Sequence, residues 1–233
     1  MKIKEIESFS NEHVGFTRVT LENGAQGWGQ ISTYHSDITA QVLHRQVAPW
    51  VLCKPIDDVD DLLNFVTERE HKFPGSYICR AMGGVDTAIW DLKGKQMGKS
   101  VAELLGGSPG QIRAYASSMK REITPYDEAE RLKRLRDDKG FDAFKVRAGS
   151  EVGRNKDEWP GRTEEIIPTM RRELGDAVDL LIDANSCYSP KRAIEVGKIL
   201  QDNNFCHYEE PCPYWNLEET KQVTDALDID VTG

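Results

Sequence analysis

The chain has 233 residues, 39% hydrophobic and 30% charged, a balance that fits a folded protein with a sizeable core rather than a disordered or membrane-embedded one. Acidic residues outnumber basic ones by 39 to 30, giving a net charge of −9, and no basic cluster offsets the excess, which argues against a nucleic-acid partner. No apolar run approaches the roughly 20 residues of a membrane span. The opening Met1-Lys-Ile-Lys-Glu-Ile-Glu7 alternates like a strand and lacks the apolar core of a signal peptide, so a cytoplasmic protein with no membrane partner is expected. The 5 cysteines are odd in number and show no C-x-x-C spacing, consistent with reduced thiols.

In chain order, residues 3–9, 14–21 and 26–32 alternate as strands, and Asn23-Gly24 predicts a type I′ hairpin turn between the last two. Helical patterns follow over Ile38–Trp50, Val59–Glu70, Arg80–Met97 and Val101–Leu105. The run Gly106-Gly-Ser-Pro-Gly110 is a stop signal, placing an α+β unit at 1–108 and a second unit at 109–233.

Beyond this boundary the rhythm changes. Residues 112–118, 142–148, 178–183, 205–209 and 229–232 read as strands, separated by helical segments near 126–138, 162–174, 190–203 and 216–227. Strand–helix alternation predicts a parallel sheet of βα units. No Gly-x-Gly-x-x-Gly run follows any of these strands, which favours a β/α barrel over a dinucleotide-binding sheet. A complete eight-stranded barrel takes about 250 residues. Four βα units and a fifth strand are expected here, an incomplete (β/α)8 barrel whose remainder another stretch of chain would supply.

Three strand ends carry candidate chemistry. Asp183 closes Leu180-Leu-Ile-Asp183, and Glu209 closes His207-Tyr-Glu209 just before Glu210-Pro211. Parallel strands bring such ends side by side, so the two acids could share one hard divalent cation. In Phe144-Lys-Val-Arg147, alternation puts Lys145 and Arg147 on one face, an arrangement that needs a reason because buried charge is costly unless paired. An ion pair inside the barrel would be one reason; an active site at the barrel mouth is the other. Asn185 and Glu210 are candidates to orient a ligand carboxylate from behind. His207, one layer below Glu209, reads better as a packed histidine than as a ligand. The long loop 149–161 reads as either a lid or solvated surface, and so does the polar segment at Tyr34 and His35, which are candidate substrate contacts.

Together the α+β cap, the Lys145-x-Arg147 strand, Asp183-x-Asn185, Glu209-Glu-Pro211, Gly83-Gly-Val-Asp-Thr-Ala-Ile-Trp-Asp-Leu-Lys-Gly94 and Glu103-Leu-Leu-Gly-Gly107 resemble the enolase superfamily, in its mandelate racemase and muconate lactonizing enzyme branch. The resemblance implies an α+β N-terminal cap followed by a TIM-type barrel. It also implies Mg²⁺ (or Mn²⁺) held by Asp183 and Glu209, with a third acid beyond Gly233, and a homo-oligomer in the full-length form. The implied reaction removes the proton α to a carboxylate, through a metal-stabilised enediolate. Where the family usually has Lys-x-Lys, this chain has Arg147, which stays protonated and is a poor base. Lys145 is then the base, its pKa expected to be depressed by Arg147 and the metal, and Arg147 holds anionic substrate. This favours a lyase, a sugar-acid dehydratase acting on an acid sugar or related carboxylate. A racemase, epimerase or cycloisomerase of the same branch is the alternative. A third reading is an inactive truncated chain or a half-barrel that associates with a complementary piece.

Overall fold

Alternating apolar residues build the first sheet. Strands β1 (Ile3–Ser10), β2 (Val14–Leu21) and β3 (Gln26–Thr33) pair antiparallel in the order β1-β2-β3. Ile3, Val19, Leu21 and Ile31 are buried on the face that helices cover. The β2–β3 connection is not a two-residue type I′ turn. Gly24 has φ +84° whereas Asn23 stays at negative φ, and Leu21 N–H donates to Ala25 O. Asn23 Oδ1 instead accepts from Ala25 N–H, so the loop is a three-residue turn closed by a left-handed glycine.

The helical run expected at Ile38–Trp50 is interrupted. Helix α1 (Ser36–Val42) passes into a π-helical turn at Leu43–Val47 and then α2 (Ala48–Val51). Pro49 has no N–H for an α-helical bond, and the widened turn keeps Leu43, Val47 and Val51 buried on one side. Helix α3 (Val59–Arg69) begins at Asp58, whose side chain accepts from Asp61 N–H. Helix α4 (Ser76–Met97) presses Val85, Ala88, Ile89 and Leu92 on the sheet, each fully buried. Its backbone lies so near β3 that a Cβ at Gly29 would stand 2.0 Å from Gly84 O. Helix α5 (Val101–Leu104) starts with a reciprocal cap between Ser100 and Glu103.

The second pattern gives β4 (Ala116–Ser117), α6 (Pro125–Lys139), β5 (Ala143–Arg147), α7 (Arg162–Leu174), β6 (Asp179–Asp183), α8 (Pro190–Asp202), β7 (His207–Glu209), α9 (Leu217–Ala226) and β8 (Asp230–Thr232). The five strands are parallel, in sequential order. Strand β4 is much shorter than expected. Ile112 is exposed, and Arg113 is drawn to Asp142 and Asp179 at the amino ends of β5 and β6 rather than into a ladder. Phe144, Val146, Leu180, Ile182 and Tyr208 share a core with Ile166, Ile167 and Met170 of α7. Each such aliphatic side chain contributes about 1.5–3 kcal/mol by leaving water.

This computed structural model describes Met1–Gly233 and divides into two compact units, Met1–Gln111 and Ile112–Gly233. The first is an antiparallel sheet covered by helices, and the second a parallel sheet of βα units: an α+β cap and part of a β/α barrel. No helix is long and apolar enough to cross a membrane.

Candidate active site at the strand carboxyl ends

Strand register builds the site. Arg147 pairs with Asp183, Asp183 with Glu209, and Glu209 with Thr232, so one row of side chains crosses four strands at their carboxyl ends. Lys145, Leu181 and His207 form the row beneath, on the same face, because side chains alternate along a strand. Lys145 and Arg147 are each 6% exposed and Asp183 is 2% exposed.

These charges are paired with one another. Lys145 Nζ donates to Glu209 Oε2 at 2.5 Å and lies 3.6 Å from Asp183 Oδ2. Arg147 Nη1 donates to Asp183 Oδ2 and, at 3.0 Å, to Asn185 Oδ1; its Nε donates to Ser118 O at 2.9 Å. Asp183 Oδ1 accepts from the backbone N–H and the side-chain amide of Asn185, both at 2.8 Å. Burial pulls the Lys145 ammonium toward neutrality. The Glu209 hydrogen bond and the charges of Glu209 and Asp183 outweigh it and hold the pKa above its ordinary value. Two carboxylates stand closer to the amine than the sequence pattern indicated, and in the metal-free chain they outweigh any depression by Arg147.

The backbone at these ends is unusual. Asn185, Ser186 and Glu210 all lie at positive φ, 44°, 61° and 43°, outside the range that non-glycine residues favour. Such strain persists where surrounding bonds over-determine it. Here Ser186 N–H donates to Glu210 O at 2.7 Å and Glu210 N–H to Thr232 O at 2.8 Å. Glu210 thus enters through its backbone, and its carboxylate makes no hydrogen bond to another side chain. His207 is half-buried, its Nε2 3.1 Å from Thr232 Oγ1.

Several contributors were invisible in the sequence pattern. Ser118, Met119 and Arg121 follow β4 and reach the site. Met119 Sδ lies 2.8 Å from Arg147 Nη2, Arg121 Nη2 donates to Asn185 Oδ1, and the Tyr115 ring lies 5.3 Å from Lys145 Nζ. Their signal was position alone: a basic run just past a parallel strand, where βα loops build active sites. Behind β5, Arg162 is wholly buried, with Nη1 donating to Arg147 O at 2.8 Å and Nε and Nη2 without partners. The loop 149–161 is stapled rather than free: Gly153 N–H donates to Ser186 O and Asn155 N–H to Cys187 O. Tyr34 and His35 follow β3 in the first unit at φ 58° and 53°, and Tyr34 is exposed, edge-on to His13.

Asp183 and Glu209 offer hard oxygen donors from register-paired positions, and the Lys145 ammonium already stands in for a cation against both. The pair suits a divalent ion that retains several waters. No group of three or more His, Cys, Asp or Glu side chains converges in this chain.

Known proteins resemble this chain in sequence and fold. The mandelate racemase/muconate lactonizing enzyme N-terminal domain matches residues 4–106, and the enolase C-terminal domain-like family matches 127–233. A Roseobacter denitrificans protein whose structure is provisionally named a racemase is 79% identical, with TM-score 0.97, covering 100% of this chain and 64% of that one. A mandelate racemase/muconate lactonizing protein from Paracoccus denitrificans, crystallised with magnesium, is 27% identical, with TM-score 0.90, covering 99% and 64%. The arabinonate dehydratase of Saccharolobus solfataricus is 26% identical over 93% of this chain and 57% of its own length. Other relatives are named sugar-acid dehydratases and cycloisomerases. The chain therefore spans about 64% of those two solved structures and 57% or less of the curated relatives named here. Two family matches that jointly span most of the sequence place the chain in the enolase superfamily, within its mandelate racemase/muconate lactonizing enzyme branch.

Proposed function

We propose that the protein is a Mg²⁺-dependent sugar-acid dehydratase, in which Lys145 removes the proton α to a carboxylate and water leaves from the neighbouring carbon. One observation carries this reading: a buried amine facing two register-paired carboxylates at strand carboxyl ends, 2.5 Å from one and 3.6 Å from the other. Asp183 and Glu209 would hold Mg²⁺, or Mn²⁺. When bound, the ion would neutralise charge developing on the substrate carboxylate and relieve Lys145 of the two anions that keep it protonated.

The remaining residues follow from their chemistry. A neutral Lys145 takes the α-proton. Arg147 holds the anionic group through its guanidinium and stabilises the charge left on the carbon skeleton, an interaction stronger in the transition state than before it. Asn185 fixes the orientation of Asp183. The substrate is a small hydroxylated carboxylate rather than a macromolecule.

A racemase or epimerase is the second reading, favoured by the provisional name of the 79%-identical relative. Incubation of the full-length protein with a panel of sugar acids and Mg²⁺ in D₂O separates the two. A 2-keto acid product supports the dehydratase, and α-deuterium incorporation without keto acid supports the racemase. Neither outcome with any acid would overturn both.

A further inference from the structure

Arg121 belongs to the loop after β4, and nothing in the reaction outlined above uses it. It is half-buried, and it joins two neighbouring loops: Nε donates to Gly149 O after β5 at 2.9 Å, and Nη2 to Asn185 Oδ1 after β6 at 2.5 Å. Asn185 is a relay. Its oxygen accepts from Arg121 and Arg147, and its amide nitrogen donates to Asp183 Oδ1. An asparagine amide can present either end to a neighbour, and only the NH₂ end suits a carboxylate. Arg147 Nη1 has two hydrogens and donates to both Asp183 and the Asn185 oxygen, so it favours the same amide orientation but moves with the carboxylate it also holds. Arg121 is the donor to Asn185 that makes no contact with Asp183.

We infer that Arg121 is a positioning residue for the metal-holding carboxylate, locking the Asn185 amide so that Asp183 is presented in one orientation. The inference rests on the proposed role of Asp183 as a metal ligand. Two effects of Arg121 on a bound cation oppose each other: its charge repels the ion, while its hydrogen bond orders the ligand. Arg121→Lys keeps the charge and removes the planar fork that spans both loops, so it isolates the ordering effect.

The test is Mn²⁺ binding to the full-length protein, by calorimetry and by the electron paramagnetic resonance of free Mn²⁺, with thermal unfolding alongside. Arg121→Lys and Asn185→Ala should each weaken binding roughly 10- to 100-fold, the usual consequence of losing a group that orients a metal ligand. The double variant should be no weaker than Asn185→Ala alone, because both changes cut one path. Asn185→Ala puts alanine at φ 44° and removes three hydrogen bonds, so its thermal midpoint should fall as well. Binding is therefore measured well below each variant's midpoint, where a merely structural staple predicts unchanged affinity. Variants binding within twofold of the wild type, or losses that multiply in the double variant, would overturn the inference alone. Wild-type protein that binds no Mn²⁺ would overturn the proposed function and this inference with it.

Discussion

Replacing Asp183 with Asn tests the charge balance on which the site is built. Lys145 and Arg147 bring two positive charges into a region where their side chains are 7% exposed, and Asp183 and Glu209 bring two negative ones. At 3.6 Å the Lys145–Asp183 attraction is about 4–5 kcal/mol at an effective dielectric constant of about 20. Removing each ion from water costs several kcal/mol, so the intact set comes out near balance. Asn at 183 deletes the attraction and keeps the desolvation of both cations. The expected loss in metal-free protein is about 3–5 kcal/mol, the range for breaking a buried ion pair. Urea unfolding followed by circular dichroism measures it, and adding Arg147→Met should recover part of the loss by removing one stranded cation. A loss under about 1 kcal/mol, or none recovered by the double variant, would refute the reasoning.

Gly149 sits at φ +60°, and a Cβ there would meet Cys187 Sγ at 2.5 Å; Gly149→Ala should cost about 2–4 kcal/mol, checked by the same melts. Native-state alkylation at pH 8 should label the exposed Cys53 and Cys79 and spare the buried Cys187 and Cys212. Burial pushes the Cys212 thiol up to about 11. The unfolded chain releases that proton near its ordinary value of 9.0, so this contribution to stability is complete below pH 9 and gone above about 11. Cys212→Ala should therefore lose less thermal midpoint than the wild type as pH rises through that window. Lys145→Met in the full-length protein should slow α-proton exchange by roughly 10²–10⁴-fold, read by NMR in D₂O.

Most of the fold was legible because hydrophobic period is a local property. The alternation in β1–β3 and the strand–helix rhythm beyond Gly110 gave both sheets, and the acids at 183 and 209 were placed at strand ends by the apolar runs before them. Two of the features that escaped, the short β4 and the raised pKa of Lys145, depend on partners distant in sequence, whereas the hairpin turn escaped through a local side-chain bond. Strand β4 is short because Arg113 is held by Asp142 and Asp179. The hairpin turn changed type because Asn23 spends its side chain on Ala25 N–H. The raised pKa of Lys145 needs Glu209, 64 residues away, at hydrogen-bond distance. Arg121 was missed likewise, since a basic residue in a loop has no periodicity to mark it.

Manganese diffused into crystals of the full-length protein, followed by an anomalous difference map, tests the central claim most directly. A single strong peak bridging the carboxylates of Asp183 and Glu209, with the Lys145 amine freed from both and facing the ion across a gap wide enough for substrate, is the predicted result. An empty map at these two residues, with their carboxylates still bound to Lys145 and Arg147, would contradict it.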